Sequence, residues 1–413
     1  MAYCLLLAIS NLTDNKIIHR DKNVTFRILS FDGGGIRGVI AATMLATIEK
    51  MIGQPLNQYF NLIAGTSTGA VLAAGIATGL QPSQMVELYQ RKGSRIFPYR
   101  SIWSPQRAGL VLQYGISAPK YSDSGLISVL KEEFKYKKLS DITSTNLLVT
   151  AYDTIGREPL IFKSWRKIFG ELPVWEACVC SASAPTFFPA HKLDRKEEGK
   201  AQGGDINTIT LSPEAADDNG DYNQMLIEII GGTGRGQTRT IIGYRGAIHQ
   251  AIVDEPWAVV PDNTSIYRVA KVYSVIDGGV GANNPTACAI AEALRLGYEP
   301  NDLSVLSVGT GSLTREIPLE SAQQWGATQW ALPILDVIFD ASSDINNYIA
   351  KQIIQDNRYL RLQFRLDSKL TGKRLSDDID DASPVNIANL VEAARVYISQ
   401  RPVQEALMNL LKY

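Results

Sequence analysis

Two glycine-rich turns, each set between a short apolar run and a helical pattern, constrain this chain more than anything else in its sequence. Phe26–Phe31 (FRILSF) leads into Asp32-Gly33-Gly34-Gly35-Ile36-Arg37-Gly38, and Val39 to Ile52 then carries apolar residues at helical spacing. Phe60–Ala64 leads into Gly65-Thr66-Ser67-Thr68-Gly69, with a second helical stretch over Ser67–Ala77. A strand that stops at glycines and gives way at once to a helix is the repeating unit of a mostly parallel sheet covered on both faces. The alternation continues with a helix opening at Pro82, a Pro/Gly/aromatic loop from Pro98 to about Ser122, a helix over Asp123–Phe134, and strands at Asn146–Tyr152 and Pro159–Phe162. It resumes late in the chain with Tyr273–Ile276, a helix over Pro285–Leu296, a strand at Leu303–Val308, a largely helical Trp325–Ile354, a strand at Tyr359–Phe364 and terminal helices.

Between these halves the pattern breaks. Residues 194–204 (DRKEEGKAQGG) are charged and Gly-rich and read as a linker, and Asp205 to Val269 has β periodicity with turn signals at 218–221 and 232–236. The expected organisation is therefore an α/β domain in two parts, 1–193 and 272–413, around an inserted β-rich module, 194–271. Asn61 to Leu80 is 20 residues without a charge, the length of a membrane span. Gly, Ala and Thr dominate it, so a buried strand–turn–helix unit accounts for it better.

Charge narrows the function. With 41 Lys+Arg against 42 Asp+Glu the net is -1, which removes the electrostatic footprint of a general nucleic-acid binder. Cys4, Cys178, Cys180 and Cys288 form neither a disulfide framework nor a zinc pattern, and read as reduced thiols of a cytoplasmic protein. The start, MAYCLLLAIS, lacks a basic n-region and a cleavage site, so no targeting peptide is expected.

The first turn contains G-x-G-x-x-G (Gly33, Gly35, Gly38), as a dinucleotide fingerprint would. The acidic residue that should end the next strand is missing, since that strand ends in Gly65. The second turn is G-x-S-x-G, which lifts Ser67 into the open at a helix N-terminus. A nucleophilic serine needs a base. The three histidines, His19, His191 and His249, fit none of the chain orders of the serine–histidine–acid triads. Asp277, at the end of the apolar run VYSVI and before Gly278-Gly279, is a carboxylate placed where α/β sheets put their sites; its plain alternative is a capping or turn aspartate.

DGGGIRG at 32–38, GTSTG at 65–69 and DGG at 277–279, in that order, resemble the patatin-like acyl hydrolases, a family of plant patatins and of bacterial and animal phospholipases. SAPTFFPAH at 183–191 and GGVGANNP at 278–285 are similar too. The resemblance covers about 25–193 and 272–310. It implies a patatin-like three-layer α/β/α fold, with Ser67 as nucleophile and Asp277 as its base in a dyad without histidine. It also implies an oxyanion hole at Gly33, Gly34 and Gly35, with Arg37 holding the loop or adding positive charge. Gly38, Gly65, Gly69, Gly278 and Gly279 complete the motifs. No metal or cofactor is implied. The substrates implied are membrane glycerolipids, cleaved at carboxylic esters through an acyl-enzyme. Peripheral membrane contact and a homo-oligomer stay open, and a non-catalytic lipid- or nucleotide-binding protein stays as the rival reading.

The family has no necessary counterpart to 205–269. Asp217, Asn219, Asp221 and Glu228 there fall at EF-hand spacing, but Tyr222 replaces the required glycine and the flanks read as β. The insert enters between His191 and Asp277, so a cap over the site, or a surface for a partner or regulator, is the expectation. Two stretches could meet a bilayer: Phe97, Tyr99, Arg100 and Trp103, and Trp325, Trp330, Leu332, Ile334, Leu335 and Ile338. For each, packing in the core is the plainer expectation.

Overall fold

The computed structural model describes residues 25–330 and 333–412, so Cys4, His19 and Leu332 lie outside the described residues. The strands are β1 (Phe26–Phe31), β2 (Leu62–Thr66), β3 (Asn146–Asp153), β4 (Glu158–Lys163), β5 (His191–Lys200), β6 (Gly203–Asp205), β7 (Thr208–Thr210), β8 (Leu226–Gly231), β9 (Thr238–Arg245), β10 (Gln250–Val253), β11 (Ile266–Asp277), β12 (Leu303–Val308) and β13 (Tyr359–Leu362). The sheet begins β13-β12-β1-β2-β3, all parallel, and continues into β11, antiparallel to β3.

The period of two along these strands builds three layers. Phe26 and Ile28 of β1, Leu62 and Ala64 of β2, and Leu303 and Val305 of β12 share one core with the helices Thr286–Arg295 and Pro333–Ile353. Leu29 and Phe31, Ile63, and Leu306 and Val308 point the other way, into the core made with Gly38–Ile52, Thr68–Ala77, Pro82–Ile96, Ser124–Phe134, Val174–Ala182 and Pro384–Ile398. Strands buried on both faces read as unbroken apolar runs, which is why FRILSF and LSVLSV stand out in the sequence. The fold is a three-layer α/β/α sandwich with a mostly parallel central sheet and an added β-rich module. Among the described residues, no helix is long and apolar enough to cross a membrane.

The stretch 194–204 is not a linker. Residues 191–200 are strand β5, paired antiparallel with β11 from His191–Val275 to Lys200–Ile266. Boundaries at 193/194 and 271/272 therefore cut through two strands that pair with each other. The charged composition misleads because the outer half of β5 has solvent on one side, with Glu198 paired to Arg268 and Glu197 to Arg195. Beyond this ribbon the order runs β11-β8-β9-β10-β7-β6, and β6 continues β5 through Ala201 and Gln202. Their amides bond Ser265 O and Thr210 O, so the strands close into a small barrel around Ile209, Ile227, Ile241, Tyr267 and Val269. Closure removes the exposed edges that a free antiparallel sheet would carry.

The barrel is tied to the α/β body by charge. Arg166 pairs with Asp218 and Asp221, Lys167 with Asp217 at 3.0 Å, and Arg295 with Asp218 at 3.7 Å. The EF-hand-spaced residues are thus engaged elsewhere: Asp217 also bonds His249, and Glu228 of β8 lies near Arg268 of β11.

Candidate active site

Ser67 sits between β2 and the helix Thr68–Ala77 with φ 57° and ψ -123°, a left-handed conformation that costs a non-glycine residue of order 1–3 kcal/mol. Close packing holds it there. A Cβ on Gly65 would lie 2.1 Å from Gly69 O, and one on Gly69 would lie 2.3 Å from Phe31 O, so the helix approaches the strand ends only because both positions lack side chains. The Ser67 amide donates to Ser181 Oγ at 2.8 Å, and the Ser181 hydroxyl donates to Thr150 O at 2.6 Å. Ser181, fully buried, anchors the strained turn to β3.

Asp277 ends β11. Its amide donates to Ser183 O at 3.0 Å, and its Oδ1 accepts from the Gly279 amide at 2.7 Å. Burial pushes the carboxyl up to about 7, while the Ser67 hydroxyl and the Gly279 amide pull it down. Oδ2 is buried and makes no hydrogen bond of good geometry among the described residues. Serine and carboxylate are therefore adjacent, close enough for the hydroxyl to act on the charge. Both line one pocket with Gly34, Gly35 and Asn283.

The glycine loop departs from expectation at two residues. The Gly33 amide is taken by Asn283 O at 2.9 Å, so it cannot serve a substrate oxyanion in this conformation. Arg37 does not line the pocket: its Nε donates to Gly34 O at 3.4 Å and its Nη1 to Asp377 O at 3.3 Å. Burial lowers its pKa, and Asp340, Asp336, Asp377 and Asp378 act against that. Arg37 is a brace rather than a charge offered to the site. The amides of Gly34 and Gly35 have no partner among the described residues. Their orientation follows from what holds the carbonyls. Gly33 O accepts from Thr310 Oγ1 at 2.6 Å, and Gly34 O from the Arg37 amide at 3.1 Å as well as from its side chain. The described residues contain no cis peptide, and in a trans peptide N–H and C=O point opposite ways, so both free amides face away from Thr310 and Arg37. Gly35 has φ 56°, and a Cβ there would meet Ile379 O at 2.1 Å.

Residues 29–206 match the family model for patatin-like phospholipase. The chain carries a patatin-like phospholipase domain. It is 26% identical over 415 residues to Patatin-like protein 2 of Oryza sativa subsp. indica, covering 90% of this chain and 84% of that protein. It is 33% identical over 174 residues to the cGAMP-activated phospholipase of Pseudomonas aeruginosa, 41% of this chain and 50% of that one. Among solved structures, human GIVD cytosolic phospholipase A2 aligns with a TM-score of 0.41 at 12% identity, over 100% of this chain and 63% of that one. That domain supports a hydrolase acting on lipid esters.

Within this patatin-like frame several residues at the site escaped sequence reasoning. Asp32, first residue of the glycine motif, is buried and held by Arg361 of β13 through both oxygens, with Ser343 donating to Oδ2 at 2.8 Å. The bidentate pair fixes where β1 ends and the loop begins. Asn283, inside GGVGANNP, takes the Gly33 amide and lines the pocket. His191 bonds Glu176 and His249 bonds Asp217; neither lines the pocket. Gly278 packs against Thr150 and Gly279 caps Asp277, while Gly38 meets Thr68 and Tyr89. No described residue of 194–271 lines the pocket, so the inserted module does not cap the site in this conformation. Apart from Thr68 and Tyr89, whose hydroxyls bond each other, the remaining walls are apolar, among them Val71, Leu88, Phe97, Phe188 and Phe339.

Proposed function

We propose that this chain is a serine lipid acyl hydrolase that cleaves carboxylic esters of glycerolipids through an acyl-enzyme on Ser67, with Asp277 as its base. The observation that carries the reading is a strained serine beside a buried carboxylate with a pKa of about 7, both opening into an apolar pocket. A base poised near neutral pH takes and returns a proton with little penalty either way. Asp277 accepts the Ser67 proton as Oγ attacks the ester carbonyl carbon. The Gly34 and Gly35 amides bind the resulting oxyanion, each worth roughly 10²–10³-fold in rate. Protonated Asp277 then gives its proton to the departing alcohol oxygen as the carbon–oxygen bond breaks. Water attacks the acyl-enzyme, loses a proton to Asp277, and the fatty acid leaves as Ser67 is reprotonated.

The apolar walls favour an acyl chain over a polar acid. Cys178 and Cys180 are buried thiols outside any disulfide, which supports a reducing, cytoplasmic setting. A labelled fluorophosphonate tests the nucleophile: covalent labelling of the parent that disappears in Ser67→Ala supports the hydrolase. Folded parent protein that takes no label and releases no fatty acid from phospholipids, galactolipids or neutral lipids supports a binding protein instead.

A further inference from the structure

The pocket wall does not end at the protein surface. Phe97 lines the pocket, and from it the chain runs outward and returns at Tyr121 to the core. Between them Trp103, Leu112 and Ile116 are 82%, 89% and 82% exposed, and the short helix Ala108–Tyr114 buries none of its residues. Trp103 is thus not a core residue, whereas Phe97 and Tyr99 pack against the core.

The outward set of these side chains is built in. Arg107 is buried, and its guanidinium donates to the carbonyls of Ile102 (3.4 Å), Ile116 (3.2 Å) and Pro119 (3.2 Å) and to that of Ala118. One side chain ties the outgoing and returning arms together, so the apolar tip cannot fold back to hide itself. The base is stitched to the pocket as well: Lys120 N donates to Thr186 O and Tyr121 N to Phe187 O, both at 2.8 Å, and Phe187 is a pocket wall. A second wall, Phe339, belongs to the helix Pro333–Ile353, whose Ile334 and Val337 are part-exposed.

We propose that residues 101–118 form a membrane-insertion loop that seats the protein on a lipid bilayer with the pocket mouth at the surface. From the preceding section this takes only that the substrate is a bilayer lipid. Continuity and charge both favour a bilayer as the occupant. Trp103, Ile102, Tyr99 and Phe97 lead along the chain from the exposed tip to the pocket wall, so an acyl chain could pass from bilayer to pocket along apolar side chains. The segment 97–122 carries Arg100, Arg107 and Lys120 and no acid to repel headgroups. Arg100 is paired with Asp378 and Asp381, Lys120 with Asp380, and Arg107 with the carbonyls, so the attraction is apolar rather than ionic. Neutral vesicles are therefore bound, with little weakening by salt.

The test uses full-length Ser67→Ala protein, so that no lipid is consumed and the outcome does not depend on the catalytic reading. Co-sedimentation with phosphatidylcholine vesicles is compared with and without Trp103→Ser, Leu112→Ser and Ile116→Ser together. Partitioning is expected to fall roughly 100-fold or more, on the scale of three apolar side chains withdrawn from an interface. Circular dichroism and Tm should not change, because all three side chains stand in solvent. With Ser67 intact, the triple variant should hydrolyse a water-soluble short-chain ester within about twofold of the parent while losing activity on vesicles. A parent that does not sediment, or a variant that sediments equally, overturns the proposal. So does a parent dimer that the triple substitution splits without altering vesicle binding, which would assign the loop to a second copy of the chain.

Discussion

Replacing Asp277 by asparagine should remove activity and stabilise the fold, and the second effect can be sized from the structure. The carboxyl is raised from 3.8 to about 7 by burial. At about 1.4 kcal/mol per pH unit, that rise is worth about 4 kcal/mol. The sign follows from linkage. Between the two values the native protein holds a proton that the unfolded chain has released, so parent stability falls as pH rises from about 4 to about 7 and is level above. The parent is at its best below the unfolded pKa and gives up this stability as Asp277 ionises. An asparagine has no charge to desolvate. Its oxygen can still accept from Gly279, and its amide can donate to Ser67 Oγ where Oδ2 now has no good partner. The expected gain is near zero at pH 4 and about 2–4 kcal/mol at pH 8, the full figure being a ceiling because the new amide must find its acceptor. Urea unfolding of parent and Asp277→Asn at both pH values measures it, alongside ester hydrolysis, which should drop at least ~10⁴-fold. A gain of equal size at both pH values, or a variant less stable than the parent at pH 8, would refute the assignment of a buried, destabilised carboxylate. With Asp277 as the proposed base, the parent's kcat/KM should rise with pH, half-maximal near 7, since only the ionised carboxylate can take the serine proton.

Ser181→Ala should leave the Ser67 amide buried without an acceptor, at about 1–3 kcal/mol, and let the strained turn relax. That predicts a fall in kcat of roughly tenfold or more with KM little changed, and steady-state kinetics on a soluble ester check it. Arg361→Leu should strand Asp32 as an unpaired buried charge and destabilise the fold by about 3–5 kcal/mol in urea. Adding Asp32→Asn should return much of that loss, which separates the charge effect from simple loss of packing.

The contrast between what could and could not be read from the sequence has a physical origin. Ser67 was legible because the chemistry demands a local pattern: the glycines at 65 and 69 are required by atoms a few residues away or on the adjoining strand. Asp277 was legible because it ends a strand at a glycine turn. The groups that make these two usable come from far along the chain. Ser181 is 114 residues from Ser67, Thr310 is 277 from Gly33 and Arg361 is 329 from Asp32, and each is a common residue whose role exists only once the sheet has formed. The glycine loop was recognised but not its internal division. Which amides are free depends on Asn283, Thr310 and Arg37 holding particular oxygens and hydrogens, and that is a matter of tertiary approach. The charged run at 194–204 misled for the opposite reason. Composition reports solvent exposure, and an exposed edge strand has the composition of a linker although each of its residues, 191–200, is in register with β11.

That ribbon decides what the inserted barrel can and cannot do to the site. β11 carries barrel residues at its start and Asp277, the proposed base, at its end, and twelve residues of extended chain span about 36 Å. The barrel's far side therefore stands well away from Asp277, and the direct route from one to the other runs along β11 and its partner β5. Only the last part of that strand fixes Asp277: Val275, Ile276 and Asp277 pair with β3, and Tyr273 to Val275 pair with Leu193 to His191 of β5. Removing 199–270 leaves those pairs in place. Arg195 still faces Lys271, and Lys196, Glu197 and Glu198 become a three-residue hairpin loop, a length such ribbons accept. The dyad should survive this deletion. The body should not be indifferent to it, because Arg166, mostly buried, loses Asp218 and Asp221. An unpaired charge in that position costs about 3–5 kcal/mol, and Arg166→Met in the deleted chain should relieve it. The expected result is a deletion protein that is less stable in urea yet labelled at Ser67 by fluorophosphonate, with stability regained once Arg166→Met is added. Loss of labelling in a folded, Arg166→Met-relieved deletion protein would mean that the barrel holds Asp277 in place through contacts outside these strand pairs, and the separation of barrel from base argued here would be wrong.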